Sequence, residues 1–182
     1  QGPALMVARQ GVANAVLSDD EDMHRYQDNG SPGVPEFPEE FVHFHTGDLG
    51  GANVAYLPIP GIKAMLEFIP QACGNAQHSV HVLTMTNPGY PTPADCCANL
   101  CNIQHSAIHL HPDNSFRFDP YGFNLLTGQE TVMMLNYPHN PSGQVATEEQ
   151  LDRLCEYCAK RRIRIFNDAA YAGLAHVDEC TT

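Results

Sequence analysis

The amino-acid sequence predicts an α/β protein with a mostly parallel sheet and helices on both faces. Two observations carry this. Two short apolar runs, Val132 to Leu135 and Ile163 to Phe166, flank one strongly patterned helical stretch. Strand, helix, strand with short connections is a βαβ unit, whose crossover is right-handed almost without exception. Each run is also followed by a polar cluster: Asn140-Pro141-Ser142-Gly143 after the first, Asn167-Asp168-Ala169-Ala170-Tyr171 after the second. If the two strands are parallel neighbours, both clusters open onto one sheet edge, and ligands of open α/β sheets bind outside the carboxyl ends of the strands.

Taken from the N-terminus, Ala4 to Leu17 reads as a helix of partial periodicity, with Leu5, Val7, Val12, Val16 and Leu17 as its apolar positions. Ser18 to Gly33 is acidic and rich in Gly, Asp and Asn, which reads as a loop. Glu36 to Gly51 carries weak signals and is assigned no element. Val80 to Met85 alternates enough for a strand, and so does Ile103 to Leu110. Thr92-Pro93 has the form of a cap with proline at the first helical position, and Asp95 to Cys101 continues that helix. Asp113 to Thr131 is full of turn signals and reads as a loop with at most a short extended piece. Thr147 and Gln150 make a capping box, so a helix should start there. Leu151, Leu154, Cys155 and Cys158 fall on one helical face. Glu148 and Glu149 in the first turn, and Lys160, Arg161 and Arg162 at the end, suit the helix dipole. No repeat or low-complexity tract interrupts this order.

Composition excludes some classes of partner. With 21 acidic against 9 basic residues the net charge is −12. Binding to phosphate backbones needs clustered Lys and Arg. Lys160 to Arg164 is a single short cluster at a helix end, broken by Ile163, so neither nucleic acid nor an anionic membrane is an expected partner. No apolar run approaches the roughly 20 residues of a membrane-spanning helix. Seven cysteines, with no framework spacing, read as reduced thiols, and a cytoplasmic location is expected.

Cys155-Glu156-Tyr157-Cys158 has metal-ligand spacing, but a zinc ribbon needs a second such pair. Both thiols are instead expected on the buried face of the capped helix. Cys96, Cys97 and Cys101 are expected to pack as well. The pairs His43/His45, His78/His81 and His109/His111 have no acidic or cysteine ligand at metal spacing, so no metal is assigned. No Gly-x-Ser-x-Gly elbow or Walker loop is present, which leaves hydrolase and nucleotide readings without support.

Asn140, Asp168 and Tyr171 supply an amide, a carboxylate and a phenol to one crevice, the polar set that holds a pyridine ring bearing a phenolic oxygen. Asn-Pro-Ser-Gly alone is a common turn; its distance from Asp168 to Tyr171 is what gives it functional meaning. The stretches LNYPHNPSGQVAT and NDAAYAGL resemble the class I/II aminotransferases that use pyridoxal 5'-phosphate, a fold type I family. HRYQDNGSPGVPEF (His24 to Phe37), PGIKAMLEFIPQA (Pro60 to Ala72) and TNPGYPT (Thr86 to Thr92) follow in the family's order, and their wording is most similar to the LL-diaminopimelate aminotransferase branch. The resemblance runs from about Asp22 to about Ala175. It implies the fold of the family's large domain, and a role for each matching residue. Asp168 would pair with the pyridine nitrogen, and Asn140 and Tyr171 would bond the phenolic oxygen. Tyr90 would stack on the ring. Lys63, at the start of a helix after Gly61, would lie near the phosphate, since a helix N-terminus is a ready anion site. Tyr26 would reach the phosphate of the neighbouring subunit's cofactor in a homodimer. Substrates would be an amino acid and a 2-oxo acid.

Two departures from the family matter. Ile62 stands where a phosphate-binding serine is usual, which predicts an impaired or rearranged phosphate site. The chemistry also needs a lysine that forms a Schiff base with the cofactor's aldehyde, and neither lysine of this chain, Lys63 or Lys160, is in the family's place for it. No catalytic residue is therefore assigned. The expected organisation is an N-terminal segment over residues 1–21 and, over residues 22–182, part of a cofactor-binding large domain without the lysine segment or the small domain, inactive by itself. Two alternatives stay open: a β-eliminating lyase on the same cofactor, and a non-catalytic sensing or assembly module, which Ile62 favours.

Overall fold

A computed structural model describes residues 5–20, 24, 36–59, 61–73, 79–98, 102–119 and 130–174. The chain divides into two compact units, Gln1–Ile59 and Pro60–Thr182.

The first unit holds two helices. Helix α1 spans Met6–Val16 and buries none of its residues. Helix α2 spans Phe37–Thr46, inside the stretch that was assigned no element. Its signals are local ones: proline in the first turn, Glu39 and Glu40 beside it, His43 and His45 in the last turn, and Gly47 at φ 68° closing it. Phe37, Phe41 and His45 stack along it at intervals of four, with ring centroids 6.0 and 4.6 Å apart.

The second unit is built on four strands. They are β1 (Val80–Asn87), β2 (Ile103–His109), β3 (Glu130–Leu135) and β4 (Arg164–Asn167), in the order β2-β1-β3-β4. Every neighbouring pair is parallel. The helices of this unit are α3 (Ile62–Cys73), α4 (Thr92–Ala98) and α5 (Glu148–Arg161), and a short 3-10 turn covers Pro112–Asn114. The two central strands, β1 and β3, are buried almost throughout, while β2 alternates and β4 is mostly exposed. That is the burial expected of a parallel sheet covered on both sides.

The chain steps from β1 outward to β2 on one side, then returns to β3 and steps outward to β4 on the other. Right-handed crossovers in opposite directions put their helices on opposite faces. The core obeys this. Leu83, Met85, Ile108, Met133 and Leu135 pack with Leu154, Tyr157 and Cys158 of α5 on one face. Val80, Val82, Val132 and Met134 pack with Leu66 of α3 and Cys97 of α4 on the other. Helix α3 carries Ile62, Leu66, Ile69 and Cys73 into that second cluster at spacings of three and four.

The capping box that starts α5 forms in both directions, at 3.0 and 3.3 Å between Thr147 and Gln150. Its buried face departs from the expectation in one residue. Leu154, Tyr157 and Cys158 are buried, and Leu151 is half-buried, but Cys155 is exposed. The stripe centres on Leu154 and Cys158. Cys155 lies a quarter-turn from it, and Tyr157 supplies the area instead. Cys97 is buried and Cys96 partly so, whereas Cys101 lies outside the described residues.

Smaller differences concern boundaries. β3 begins at Glu130, inside the stretch read as a loop, and β4 begins at Arg164 because Ile163 still bonds the helix end, its N–H donating to the Cys158 carbonyl at 2.9 Å. Helix α4 begins at Thr92 rather than being capped by it, with the Asp95 N–H donating to the Pro91 carbonyl at 3.0 Å. Among the described residues, no helix is long and apolar enough to cross a membrane.

Candidate functional site

The strand order reverses between β1 and β3, so the connections leaving their carboxyl ends run in opposite directions and leave a crevice. Three loops enter it: Pro88 to Tyr90 after β1, Asn136 to Gly143 after β3, and Asp168 to Tyr171 after β4. Register explains how the last two meet. Leu135 pairs with Asn167 at the end of β3 and β4, and the Asp168 N–H then donates to the Leu135 carbonyl at 2.9 Å. Asp168 is thereby fixed one residue beyond the sheet.

Asn136, which the sequence reading did not single out, splints the two loops. Its Nδ2 donates to the Asp168 carbonyl at 2.9 Å and its Oδ1 accepts from the Asn140 N–H at 2.9 Å. With both backbones held, Asn140 Nδ2 donates to the Tyr171 hydroxyl at 3.1 Å. His139 is a second residue not foreseen. It is buried, its Nδ1 bonds the Ser142 hydroxyl at 2.7 Å, and its own N–H and C=O close the turn onto Gln144 and Gly143 at 2.8 Å each. Burial lowers its pKa, partly offset by the backbone of Met85 and Pro88, and its Nε2 is buried without a hydrogen-bond partner.

A cavity of about 200 Å³ gathers these parts, lined by Ile62, Lys63, Leu66, Tyr90, Asn136, Asn140, Asp168, Ala170 and Tyr171. Five residues singled out from the sequence, Lys63, Tyr90, Asn140, Asp168 and Tyr171, thus share one wall-to-wall space. Tyr26, the sixth, lies outside the described residues. Lys63 is exposed in the first turn of α3, after Gly61 at φ 120°. Ile62 packs against the core beneath it, and its side chain carries no polar atom. Tyr90 is half-buried, and reaches the cavity because Gly89 folds tightly under β1: a Cβ there would overlap the Met85 carbonyl oxygen.

Asp168 is the electrostatic centre. It is 8% exposed. Burial raises its pKa, and the Ala170 N–H, donating to Oδ1 at 3.2 Å, only partly offsets this. Among the described residues no cation pairs with it. A buried carboxylate of this kind calls for a proton or a cationic partner. The depression along α5 lined by Glu148, Glu149, Asp152, Arg153 and Glu156 is, by contrast, the solvated face of an amphipathic helix.

Comparison with known proteins identifies the family. The profile of the family described as aminotransferase class I and II matches residues 3–180. The chain belongs to that family. It is 33% identical over 95 residues to an LL-diaminopimelate aminotransferase of Desulforudis audaxviator (strain MP104C), covering 52% of this chain and 24% of that protein. It is 22% identical over 175 residues to an aspartate aminotransferase of Musicola paradisiaca (strain Ech703), covering 80% of this chain and 44% of that protein. The chain thus spans less than half the length of these relatives. Among solved structures, an aminotransferase from Mycobacterium tuberculosis superposes with a TM-score of 0.75 at 19% identity, over 100% of this chain and 48% of that one. An aspartate aminotransferase from Rhizobium meliloti gives 0.70 at 18% identity, over 92% and 41%. At such identities these superpositions establish a shared fold.

Proposed function

We propose that this family member binds pyridoxal 5'-phosphate in the crevice between β1 and β3 and serves amino-group transfer between an amino acid and a 2-oxo acid. The observation that carries the reading is Asp168, a buried carboxylate with a raised pKa in the same cavity as the Asn140–Tyr171 pair. The donor set fits the cofactor. A protonated pyridine nitrogen is the cationic partner Asp168 calls for, and a carboxylate–pyridinium pair is charge-assisted. Asn140 and Tyr171 have hydrogen-bonding atoms within 3.1 Å of each other, suited to one phenolic oxygen. Tyr90 offers a ring face, and Lys63 with the start of α3 offers positive charge to a phosphate.

When bound, the cofactor supplies an electron sink for electrons released at the amino acid's α-carbon. The residues of this chain hold and orient it. Asp168 would keep the pyridine nitrogen protonated, and Asn136 would hold the loops after β3 and β4 together. Lys160 is committed to Glu156 at 2.7 Å on the exposed face of α5. Lys63 lines the cavity and would be the phosphate's neighbour. Residues 22–182 are read as part of a cofactor-binding large domain, cytoplasmic and acting in a homodimer in which Tyr26 serves the partner's cofactor. Ile62 favours a second reading, a non-catalytic module used for sensing or assembly.

Titration with pyridoxal 5'-phosphate, followed by absorbance, borohydride trapping and mass spectrometry, tests both. Saturable binding weakened by Asp168→Ala, without stoichiometric trapping on a lysine, is expected of this chain. Binding indifferent to Asp168 would remove the cofactor assignment. Stoichiometric trapping on Lys63 with turnover would overturn the reading that residues 1–182 lack the reacting amine.

A further inference from the structure

The sheet face covered by α3 and α4 carries a row of polar side chains toward its carboxyl edge. Side chains two apart share a face of a strand. Thr84 and Thr86 therefore continue the face of Val80 and Val82, Asn136 that of Val132 and Met134, and Asp168 that of Phe166. On β2, His105 continues the face of Ile103. Register sets these positions side by side. Val82 pairs with His105, and Thr84, Met134 and Phe166 form one row across β1, β3 and β4.

Three of these residues are linked by hydrogen bonds. His105 Nε2 and the Thr84 hydroxyl are 2.7 Å apart, and the Thr84 and Thr86 hydroxyls are 2.7 Å apart. Thr84 is fully buried, and Thr86 and His105 are half-buried. Beyond Thr86 lies a cavity of about 10 Å³, whose lining includes Thr86, Asn136 and Asp168 beside Met134 and Phe166. That is room for roughly one water, provided it finds two or more polar partners. Thr86 and Asp168 supply them. Asn136 and Asp168 also line the cofactor cavity, so the two spaces adjoin.

A hydroxyl has one hydrogen to donate. The two hydroxyls between His105 and the small cavity must therefore point in one sense or the other. When His105 is protonated, Nε2 donates to Thr84, Thr84 donates to Thr86, and the Thr86 hydrogen turns toward the cavity and Asp168. When His105 is neutral with Nε2 accepting, Thr84 donates to it, Thr86 donates to Thr84, and the cavity meets only lone pairs. The first sense favours the Asp168 carboxylate, the second its protonated form.

We propose that His105, through Thr84, Thr86 and one bridging water, is a positioning residue for Asp168, its proton state deciding whether the link offers the Asp168 carboxyl a donor or an acceptor. This role rests on Asp168 being the partner of the cofactor's ring nitrogen, and it adds a residue that controls the readiness of that carboxylate. The surroundings draw the two titrations together. Burial lowers the His105 pKa and His81, on the neighbouring strand, lowers it further, while burial raises that of Asp168. The other groups around His105 contribute little charge. On α4, which packs over β1 and β2, Cys97 is buried with its thiol pushed up to about 11, and Asp95 is exposed. Lys63 and Glu67 of α3 and His109 of β2 are exposed as well.

NMR titration of the cofactor-free protein, with carbon-13 in the aspartate carboxyls and nitrogen-15 in the histidine rings, tests the link. The Asp168 carboxyl should show a second, smaller inflection at the pH where His105 titrates. Thr84→Val keeps both titrating groups but removes the hydroxyl between them, so the second inflection should be lost. Thr86→Val gives the same reading if the valine at the fully buried position 84 does not fold. Thr86→Ser keeps the hydroxyl and should keep the inflection. Ser106→Ala removes the partner of His81 Nε2 at 2.9 Å, on the opposite face of the sheet, and should keep it too. An inflection that survives loss of the hydroxyls would be the through-space effect of the His105 charge and would overturn the link. So would its absence from the unmodified protein. Cofactor binding that depends on Asp168, measured in parallel, sinks the link alone if no second inflection is seen. A hydroxyl-dependent inflection in a protein that does not bind pyridoxal 5'-phosphate sinks the cofactor reading alone.

Discussion

Asp168 is held where its own charge is disfavoured, and this gives it a signature that can be measured without catalysis. Its pKa is raised in the folded state, so the folded chain takes up the proton more readily than the unfolded one. The stability tied to that proton is full below the unfolded carboxylate pKa and is lost as pH rises through the folded value. At neutral pH, therefore, Asp168 opposes folding in the cofactor-free protein. Asp168→Asn, which can still accept the Ala170 N–H, should raise the cofactor-free thermal midpoint at pH 7 and give no gain in acid. The same variant should lose about tenfold or more in pyridoxal 5'-phosphate affinity, as expected for a lost charge-assisted contact. A midpoint unchanged at both pH values would contradict the burial argument. Gly89 carries a second prediction. Because an added Cβ meets backbone, the neighbour cannot yield as a flexible side chain would. Gly89→Ala should therefore destabilise the second unit by about 1–3 kcal/mol, read by denaturant melts, and displace Tyr90. The residues that gather in the cavity were visible in the sequence through motif order. Asn136 and His139 were not, because the contact of Asn136 with Asp168 and the burial of His139 are tertiary and leave no local pattern. The one available signal was position: Asn136 is the first polar residue beyond an apolar run and stands four before Asn140.

Helix α5 was legible in advance because its start, its face and its charges are all local properties. The capping box forms as expected, and Thr147→Ala should cost about 1 kcal/mol. Leu154→Ala, which opens a hole between α5 and the sheet, should cost about 2–5 kcal/mol. Cys155 and Cys158 separate on the same scale. Cys158 is buried, and burial pushes its thiol pKa up to about 11. Cys155 is exposed. Cys155→Ser should change stability by no more than about 0.5 kcal/mol, whereas Cys158→Ser should cost clearly more, and an alkylating reagent should label Cys155 first in the native chain. Equal labelling of the two would show that α5 does not sit as described. The sequence reading put both thiols on the core because spacings of three and four admit two adjacent faces, and only the sheet decides which is covered. α2 shows the opposite lapse. Its proline, paired glutamates and terminal glycine are orthodox helix signals, but its mixed aromatic and histidine face gave no clear apolar stripe.

At the scale of the whole molecule, parallel pairing of β3 and β4 followed from one βαβ unit, whereas the lateral order β2-β1-β3-β4 did not. Nothing in a strand's own residues says on which side of β1 the chain will lay β3, yet that choice creates the crevice where Asp168, Tyr90 and Asn140 meet. Association between chains is the last property at this scale, and it concerns the first unit most. Leu5, Val7 and Leu17 at α1 are 75%, 77% and 79% exposed, and Phe44 of α2 is 83% exposed. Such large apolar side chains standing in solvent favour contact with other protein surface. The proposed homodimer, with Tyr26 reaching the partner's cofactor, would draw on this N-terminal unit. Sedimentation velocity over a hundredfold range of concentration (about 1 to 100 μM, spanning the affinities common among weak dimers) should show a monomer giving way to a dimer. Val7→Asp and Phe44→Asp should each move that transition to higher concentration. If Tyr26 serves the partner's cofactor, cofactor affinity should weaken together with the dimer in both variants. A strict monomer across the range would remove the shared site at Tyr26, while the binding of pyridoxal 5'-phosphate at Asp168 would stand or fall on its own titration.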